Sequence, residues 1–158
     1  MIKKFNDEKK SALIAGIGSM ICITLISFLT SKTQDLWLMA PFGATMVIIF
    51  GLPSSPLAQP KNIILGHIIT TIIGLIILKW LGVNEWSLGF AVGLSVLTMI
   101  LTNTIHPPAG ANPLVIMLAG ESWNFLFTPV IFGAILIVLT GYIYHRLVSK
   151  NSYPIKWF

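Results

Sequence analysis

Two short segments of the sequence carry proline, glycine, alanine and a polar side chain in the same order. They read Pro41-Phe42-Gly43-Ala44-Thr45 and Pro108-Ala109-Gly110-Ala111-Asn112. Proline suits the first turn of a helix, where backbone N–H groups lack an intrahelical partner and carry a partial positive charge. Glycine leaves that backbone accessible, and Thr45 and Asn112 can donate further hydrogen bonds. The pattern predicts a site for a small anion at two helix starts, or else close helix packing in which the polar side chains satisfy neighbouring backbone.

Two histidines accompany these segments. His106 comes immediately before Pro107, an extended position at the entrance to the second short helix. It can bind an anion when protonated, relay a proton near neutral pH, or cap the end of the preceding helix. His67 lies one turn into an apolar run, beside Thr70 and Thr71, where an ionisable group is a functional candidate by default. The alternative for His67 is a neutral ring bonded to a backbone carbonyl.

A polar, proline-rich connector joins two apolar runs over residues 52–62. Its hydrogen-bonding side chains include Ser55, Gln59, Lys61 and Asn62. These side chains can contact a solute or the ends of the short helices, and Lys61 can supply positive charge to an anion site. The alternative is a rigid surface loop whose lysine lies at the membrane interface.

The chain offers little for metal binding or acid–base catalysis. Its five carboxylates lie outside or at the edges of the apolar runs: Asp7, Glu8, Asp35, Glu85 and Glu121. Its three histidines lie on separate elements without ligand-like spacing, and the single cysteine, Cys22, lies inside an apolar run. We therefore expect no metal, no cofactor and no enzymatic activity, because neither a nucleophile with a base nor paired carboxylates can be identified.

The composition indicates that the helices carrying these residues lie in a membrane. Of 158 residues, 55% are hydrophobic and only 9% are charged, which is too few to cover a soluble domain. The net charge of +5 comes largely from four cations before the first apolar run and three at or beyond the end of the last: Lys3, Lys4, Lys9, Lys10, Arg146, Lys150 and Lys156. The composition therefore predicts a multi-pass protein of the inner (plasma) membrane that does not bind nucleic acid, and the positive-inside rule predicts that both termini are cytoplasmic.

Six apolar stretches follow one another along the chain. They cover residues 13–30, 36–52, 63–83, 88–104, 108–118 and 125–148. A helix needs about 20 residues to cross the hydrocarbon core, so the first, third, fourth and sixth stretches predict full spans. The second and fifth predict short helices that begin at Pro41 and Pro108. A bilayer tolerates such elements where they are buried in protein or line a wet cavity.

A shift of 67 residues aligns the two halves of the chain. It places Pro41, Gly43 and Ala44 on Pro108, Gly110 and Ala111, Gly66 on Gly133, and Gly74 on Gly141. We therefore predict one all-α domain at 13–148 that contains two tandem repeats, about 13–83 and 84–148. Each repeat would consist of a long helix, a short helix and a long helix. The alternative is that the similarity is coincidental. Re-entrant short helices give four full spans, which their lengths favour, whereas crossing ones give six crossings and inverted repeats. Basic tails at 1–12 and 149–158 complete the chain.

The second segment also carries a resemblance to a known family. The run Thr102-Asn103-Thr104-Ile105-His106-Pro107-Pro108-Ala109-Gly110-Ala111-Asn112-Pro113 resembles the signature of the HPP family of integral membrane proteins, named for His-Pro-Pro. Residues 55–62 with Gly66-His67, and residues 41–45, also resemble family motifs. The resemblance implies site residues His106, Pro107, Pro108, Gly110 and Asn112 in the signature, and Gln59, Lys61, Asn62 and His67 in the second motif. Asn103 and Ala111, within the same run, and Pro41, Gly43, Ala44 and Thr45 complete the candidate set.

The resemblance implies membrane transport, because cyanobacterial and plastid members of the family are implicated in nitrite transport. The family is described as having four membrane spans. We expect a transporter or channel for a small monovalent anion, nitrite first, surrounded by membrane lipids and forming a homo-oligomer through glycine-rich spans. Passage can be channel-like or coupled to a proton through His67 or His106. The alternatives are a different small solute, or a non-transporting membrane sensor or assembly protein.

Overall fold

The computed structural model describes residues 2–33, 37–150 and 152–157, with side chains from residue 7 onward. Regular structure in these ranges is helical, as the sequence predicts. The α-helices are α1 Ile2–Thr33, α2 Ala40–Gly51, α3 Pro60–Leu81, α4 Glu85–Leu101, α5 Asn112–Ala119 and α6 Phe132–Tyr144. Short 3-10 turns at Pro56–Ala58 and Pro107–Ala111 lead into α3 and α5, and wider turns at Leu126–Ile131 and His145–Ser149 flank α6.

Local sequence explains where these helices begin. Pro41 occupies the first turn of α2, as expected. The Asn84 side chain accepts hydrogen bonds from two backbone N–H groups of α4 and forms a capping box with Ser87. The second short helix differs from the expectation, because the residues after Pro107 form a 3-10 turn and the α-helix starts at Asn112. Pro113 lacks the N–H that would continue an α-helical ladder from Ala109, so regular bonding begins only beyond it.

Within the described residues, three helical segments are long and apolar enough to cross a membrane: Asp7–Thr33, Pro60–Leu81 and Leu126–Ser149. The chain is therefore a multi-pass membrane protein. Helix α4, expected as a fourth full span, has 17 residues, and α2 has 12. Helix α1 begins at Ile2, so most of the expected N-terminal tail continues the first helix. The last segment breaks at Thr128, whose extended backbone precedes Pro129.

Close contacts at two glycines of α6 show the relative direction of α2 and α6. Gly133, near the start of α6, contacts Phe42 of α2, and Gly141 contacts Ile49. The two helices are therefore parallel. At their far end, the fully buried His145 ring donates a hydrogen bond from Nε2 to the backbone oxygen of Ile49 at 2.7 Å. That bond ties the end of α2 to the last span.

The segment with the second short helix runs alongside α3 instead. Gly66 of α3 lies against His106, and Gly74 lies against Pro113, so residues 107–119 run parallel to α3. A Cβ atom on Gly74 would come within 2.9 Å of the Pro113 Cα, which is why this crossing requires glycine. The start of α3 lies near the chain that follows α6, where the Tyr153 hydroxyl donates to the Ala58 oxygen at 3.0 Å. The two short helices consequently run in opposite directions.

The outer surface of the bundle is apolar. Large hydrophobic side chains are exposed along every long helix, among them Leu13, Met20, Phe28, Phe90, Leu101 and Leu139. Trp86 is 87% exposed at the start of α4, and Trp80 is 76% exposed near the end of α3. An apolar belt with tryptophans at helix ends is the surface that a bilayer solvates.

Candidate functional site: a buried polar network beneath a basic cleft

Four polar side chains meet in the middle of the bundle. Thr45 comes from α2, His67 from α3, His106 from the loop before the 3-10 turn, and Asn112 from the start of α5. Each is 0% exposed. Together with Thr71 of α3, these residues form what we call the His67 network. A bundle core seldom buries this much polarity without a function.

Thr45 joins the two histidines. Its Oγ1 lies 3.1 Å from His67 Nε2 and 2.9 Å from His106 Nε2. The same hydroxyl lies 3.2 Å from the Pro41 carbonyl oxygen, one turn earlier in α2. The two imidazole rings meet edge to face with their centroids 5.0 Å apart. The hydroxyl is thus within hydrogen-bond reach of both rings at once.

The polar connector holds the His106 ring in place. His106 Nδ1 donates to the Leu57 carbonyl oxygen at 2.9 Å, and Nδ1 must carry the hydrogen because a carbonyl can only accept. Asn62 donates from Nδ2 to the Ile105 carbonyl oxygen, also at 2.9 Å. The connector therefore fixes both the position and the tautomer of His106.

Asn112 lies on the other side of His67. Its Nδ2 lies 3.1 Å from the Thr71 hydroxyl and 3.1 Å from the His67 carbonyl oxygen. The His67 Nδ1 atom is 3.0 Å from this Nδ2 and 3.2 Å from the Asn112 Oδ1. The amide can therefore donate to the ring or accept from it. Thr71 contributes because it follows His67 by four residues and shares its helix face.

A basic cleft of about 350 Å³ opens beside the connector. Its lining consists of Ser54, Pro56, Gln59, Lys61, Asn62, Asn103, Ile155 and Lys156. Among the residues that the structure describes, this lining contains two lysines and no carboxylate side chain. Asn62 joins the two sites, because it lines the cleft and also bonds the residue next to His106. The cleft therefore lies beside the loop that carries His106, at one end of the bundle.

Gln59 organises the wall of this cleft. Its Nε2 donates to the backbone oxygens of Pro53 and Ser55, and its Oε1 accepts from the backbone N–H groups of Ile155 and Lys156. Both ends of the amide are thus bonded to backbone. Gln59 holds the C-terminal segment against the connector and so brings Lys156 to the cleft.

The backbone of the two Pro-Gly segments, residues 41–45 and 108–112, lies outside the basic cleft. An apolar groove of about 580 Å³ is lined by Pro41, Ala44, Pro107, Pro108 and Ala111 together with Ala40, Val47, Ile48 and Val115. Gly43 is exposed and Gly110 half-buried, with open space around each. The starts of the two short helices therefore line one groove, but this groove is apolar, and its described lining offers no polar side chain to an anion. The structure instead brings together the side chains of Thr45 and Asn112, on either side of His67.

Sequence reasoning missed several contributors. Thr71 was noticed only as a neighbour of His67, although its spacing of four residues was a usable signal. The Leu57 carbonyl, Ser54 and Lys156 carried no such signal, since they reach the site only through the tertiary fold. Among the described residues, no group of three His, Cys, Asp or Glu side chains could hold a metal ion.

Comparison with known proteins assigns the chain to a family of membrane proteins. The model of the HPP transmembrane region matches residues 5–154. Two proteins of Dictyostelium discoideum, both named transmembrane proteins, are 40% identical over 154 residues and 36% identical over 156 residues. These alignments cover 92% and 94% of this chain but 54% and 50% of the relatives, so the chain spans about half the length of the curated relatives it matches. No solved structure matches the chain significantly. The chain belongs to the HPP family of membrane proteins.

Proposed function

We propose that this protein moves a small monovalent anion across the plasma membrane, with nitrite as the first candidate. The observation that carries the proposal is the basic cleft, which Asn62 connects to the buried His67 network. Lys61 and Lys156 raise the local concentration of anions at the cleft, and no lining carboxylate opposes them. Nitrite is the candidate because members of the same family are implicated in its transport.

The helix directions favour a six-crossing path. Helix α2 runs parallel to α6, whereas residues 107–119 run parallel to α3. Helix α3 begins at the end of the bundle where α6 ends, so it runs opposite to α6. Each short helix thus connects opposite ends of the bundle rather than returning to its own end. Inverted repeats with short helices near the membrane midplane are an arrangement in which transporters build their binding sites. With both termini cytoplasmic, the basic cleft opens to the cytoplasm.

The apolar groove between α2 and residues 107–111 supports the expectation of a homo-oligomer. Small side chains such as Ala44 and Ala111 line it and allow the helices of a second protomer to approach closely. Crosslinking in native membranes through a cysteine placed at Ala44 tests this arrangement. A monomer under all conditions would contradict it.

Nitrite uptake into proteoliposomes is the direct test. Nitrate, formate and chloride serve as competitors, and Lys61→Ala/Lys156→Ala is compared with Lys79→Ala, an exposed lysine near the other end of α3. Half-buried or exposed charges such as Lys61 and Lys156 contribute about 1 kcal/mol or less each, so we expect KM to rise by about thirtyfold at most in the double variant, with less effect at high salt. The Lys79 control should leave KM unchanged.

Two results would overturn the proposal. One is the absence of uptake of all these anions by folded protein, which would favour another solute or a sensor or assembly role. The other is uptake whose KM is identical in the double variant and the Lys79 control.

A further inference from the structure

The hydroxyl of Thr45 lies between two imidazole nitrogens in a fully buried site. The distances of 3.1 Å to His67 Nε2 and 2.9 Å to His106 Nε2 are both hydrogen-bond distances. A hydroxyl can donate one hydrogen bond while accepting another. Thr45 can therefore bond to both rings simultaneously, and the protonation of one ring determines that of the other.

One set of donors pairs every ring nitrogen of the neutral network, with the Thr45 hydroxyl turned from the Pro41 oxygen toward His106. Because His106 Nδ1–H donates to the Leu57 oxygen, His106 Nε2 is bare and accepts from the Thr45 hydroxyl. The Thr45 oxygen then accepts from His67 Nε2–H, and the bare His67 Nδ1 accepts from Asn112 Nδ2 at 3.0 Å. Every ring nitrogen is paired in this state.

One added proton fits the same atomic positions. Placed on His67 Nδ1, it donates to Asn112 Oδ1 at 3.2 Å, and the two hydrogens on Asn112 Nδ2 are then free for the Thr71 hydroxyl and the His67 carbonyl oxygen. No heavy atom has to move between the two states. The amide of Asn112 thus serves the neutral ring as a donor and the charged ring as an acceptor.

We propose that the His67 network binds a single proton and that Thr45 relays it between His67 and His106. In the relay, the His67 Nε2–H bond breaks as the proton joins Thr45 Oγ1, and the original hydroxyl proton of Thr45 passes to His106 Nε2. The positive charge moves from one ring to the other, and no oxidant or reductant is required. The new Thr45 hydroxyl bond then points to His67 Nε2, so both rings remain paired.

The surroundings limit the network to one proton. Two imidazolium rings with centroids 5.0 Å apart would repel each other strongly in a buried site. Helix α2, the connector residues 52–59, residues 107–119 and residues 126–131 carry no Asp, Glu, Lys or Arg. On α3 the other charges are Lys61 and Lys79 near its two ends, and α4 carries only Glu85 in its first turn. Glu85 lies at the end of α4 opposite the end that leads to His106, so none of these elements places a carboxylate beside the two rings.

This proton site has a consequence for transport, which rests on the proposed function. A single buried positive charge without a protein counter-ion is stabilised when an anion binds beside it. The network would therefore load a proton and an anion together, which makes the transport electroneutral. Inward anion movement should then follow an imposed inward proton gradient rather than the membrane voltage.

Nitrogen-15 NMR of histidine-labelled protein in nanodiscs tests the proton site without any transported solute. At alkaline pH we expect His106 with its hydrogen on Nδ1 and His67 with its hydrogen on Nε2. On acidification both rings should change together as one coupled titration that takes up one proton per chain. Independent titration of the two rings in the wild-type protein would overturn the proposal, and this result requires no variant.

Two substitutions at Thr45 sharpen the test. Thr45→Val keeps the shape but removes the hydroxyl, so the two rings should titrate separately. Thr45→Ser restores the hydroxyl and should restore the coupled titration. Identical titrations in the Val and Ser variants would exclude a relay through this side chain.

Uptake measurements distinguish a failure of the proton relay from a failure of anion transport. In proteoliposomes, a proton gradient of tenfold should accelerate nitrite uptake by wild-type protein and by Thr45→Ser but not by Thr45→Val. Uptake that ignores the gradient in the wild-type protein would refute coupling while leaving anion transport intact. A coupled titration without uptake of any anion would refute the transport proposal while leaving the proton site intact.

Discussion

Replacing Asn112 with leucine should destabilise the bundle by a predictable amount. Leucine has a similar size and is apolar, so the change removes the amide with little loss of volume. It leaves His67 Nδ1 without a partner in a site that is 0% exposed. It also removes the hydrogen bond between Asn112 Nδ2 and Thr71 Oγ1 at 3.1 Å.

The magnitude follows from these two losses. A buried polar atom left unpaired costs about 1–3 kcal/mol, and a lost buried hydrogen bond costs about 1 kcal/mol. Thr71 is not left unpaired, because its hydroxyl can turn to the His67 carbonyl oxygen one turn earlier. We therefore expect Asn112→Leu to lower the free energy of unfolding by about 2–4 kcal/mol and Thr71→Val by about 1 kcal/mol.

A double-mutant cycle in mixed micelles provides the measurement. Reversible unfolding followed by circular dichroism gives the free energies of Asn112→Leu, Thr71→Val and the double variant. Because both substitutions remove the same hydrogen bond, the double variant should cost about 1 kcal/mol less than the sum. Thr98→Val, whose half-buried hydroxyl bonds only within its own helix, should change stability by less than about 0.5 kcal/mol. Strict additivity, or a cost for Asn112→Leu no larger than this control, would refute the reasoning.

Two further predictions concern helix packing and the C-terminal segment. Gly74→Ala should reduce the thermal stability of the micellar protein, because its Cβ would press on the Pro113 Cα, whereas Gly93→Ala, with nothing within 4 Å, should be neutral or slightly stabilising. Burial raises the pKa of Tyr153 above its ordinary value. The neutral phenol therefore keeps its hydrogen bond to the Ala58 carbonyl oxygen up to about pH 10, and this bond is lost as the pH rises further and the phenol ionises. An ultraviolet titration of tyrosinate should show one phenol that ionises last and is missing in Tyr153→Phe.

Much of this fold follows from local rules. The apolar stretches predicted the helices, and Pro41 predicted the start of α2. The pairing of Thr45 with Asn112 was also visible, since both occupy the same place in the two segments. What the sequence did not indicate is that both would meet at His67. That meeting depends on how α2 and residues 107–119 cross α3, and no local pattern encodes a crossing.

The basic cleft illustrates a second limit. Lys61 belongs to a recognisable motif, but Lys156 belongs to a segment that the sequence predicted only as a basic tail. Its position depends on the Gln59 amide, which bonds the backbone of residues 155 and 156. Backbone bonds of this kind do not depend on which side chains the tail carries. For that reason composition and charge could not reveal the second lysine of the cleft.

The position of His67 between Thr45 and Asn112 makes the two halves of the chain interdependent. Nε2 of its ring contacts the first half through Thr45, and Nδ1 contacts the second half through Asn112. The residue that the 67-residue shift places opposite His67 is Ala134, so the second half has no ring of its own. One imidazole therefore contacts side chains from both halves of the chain, and neither half alone contains the whole His67 network. A substitution at either Thr45 or Asn112 consequently alters the one ring on which both halves depend.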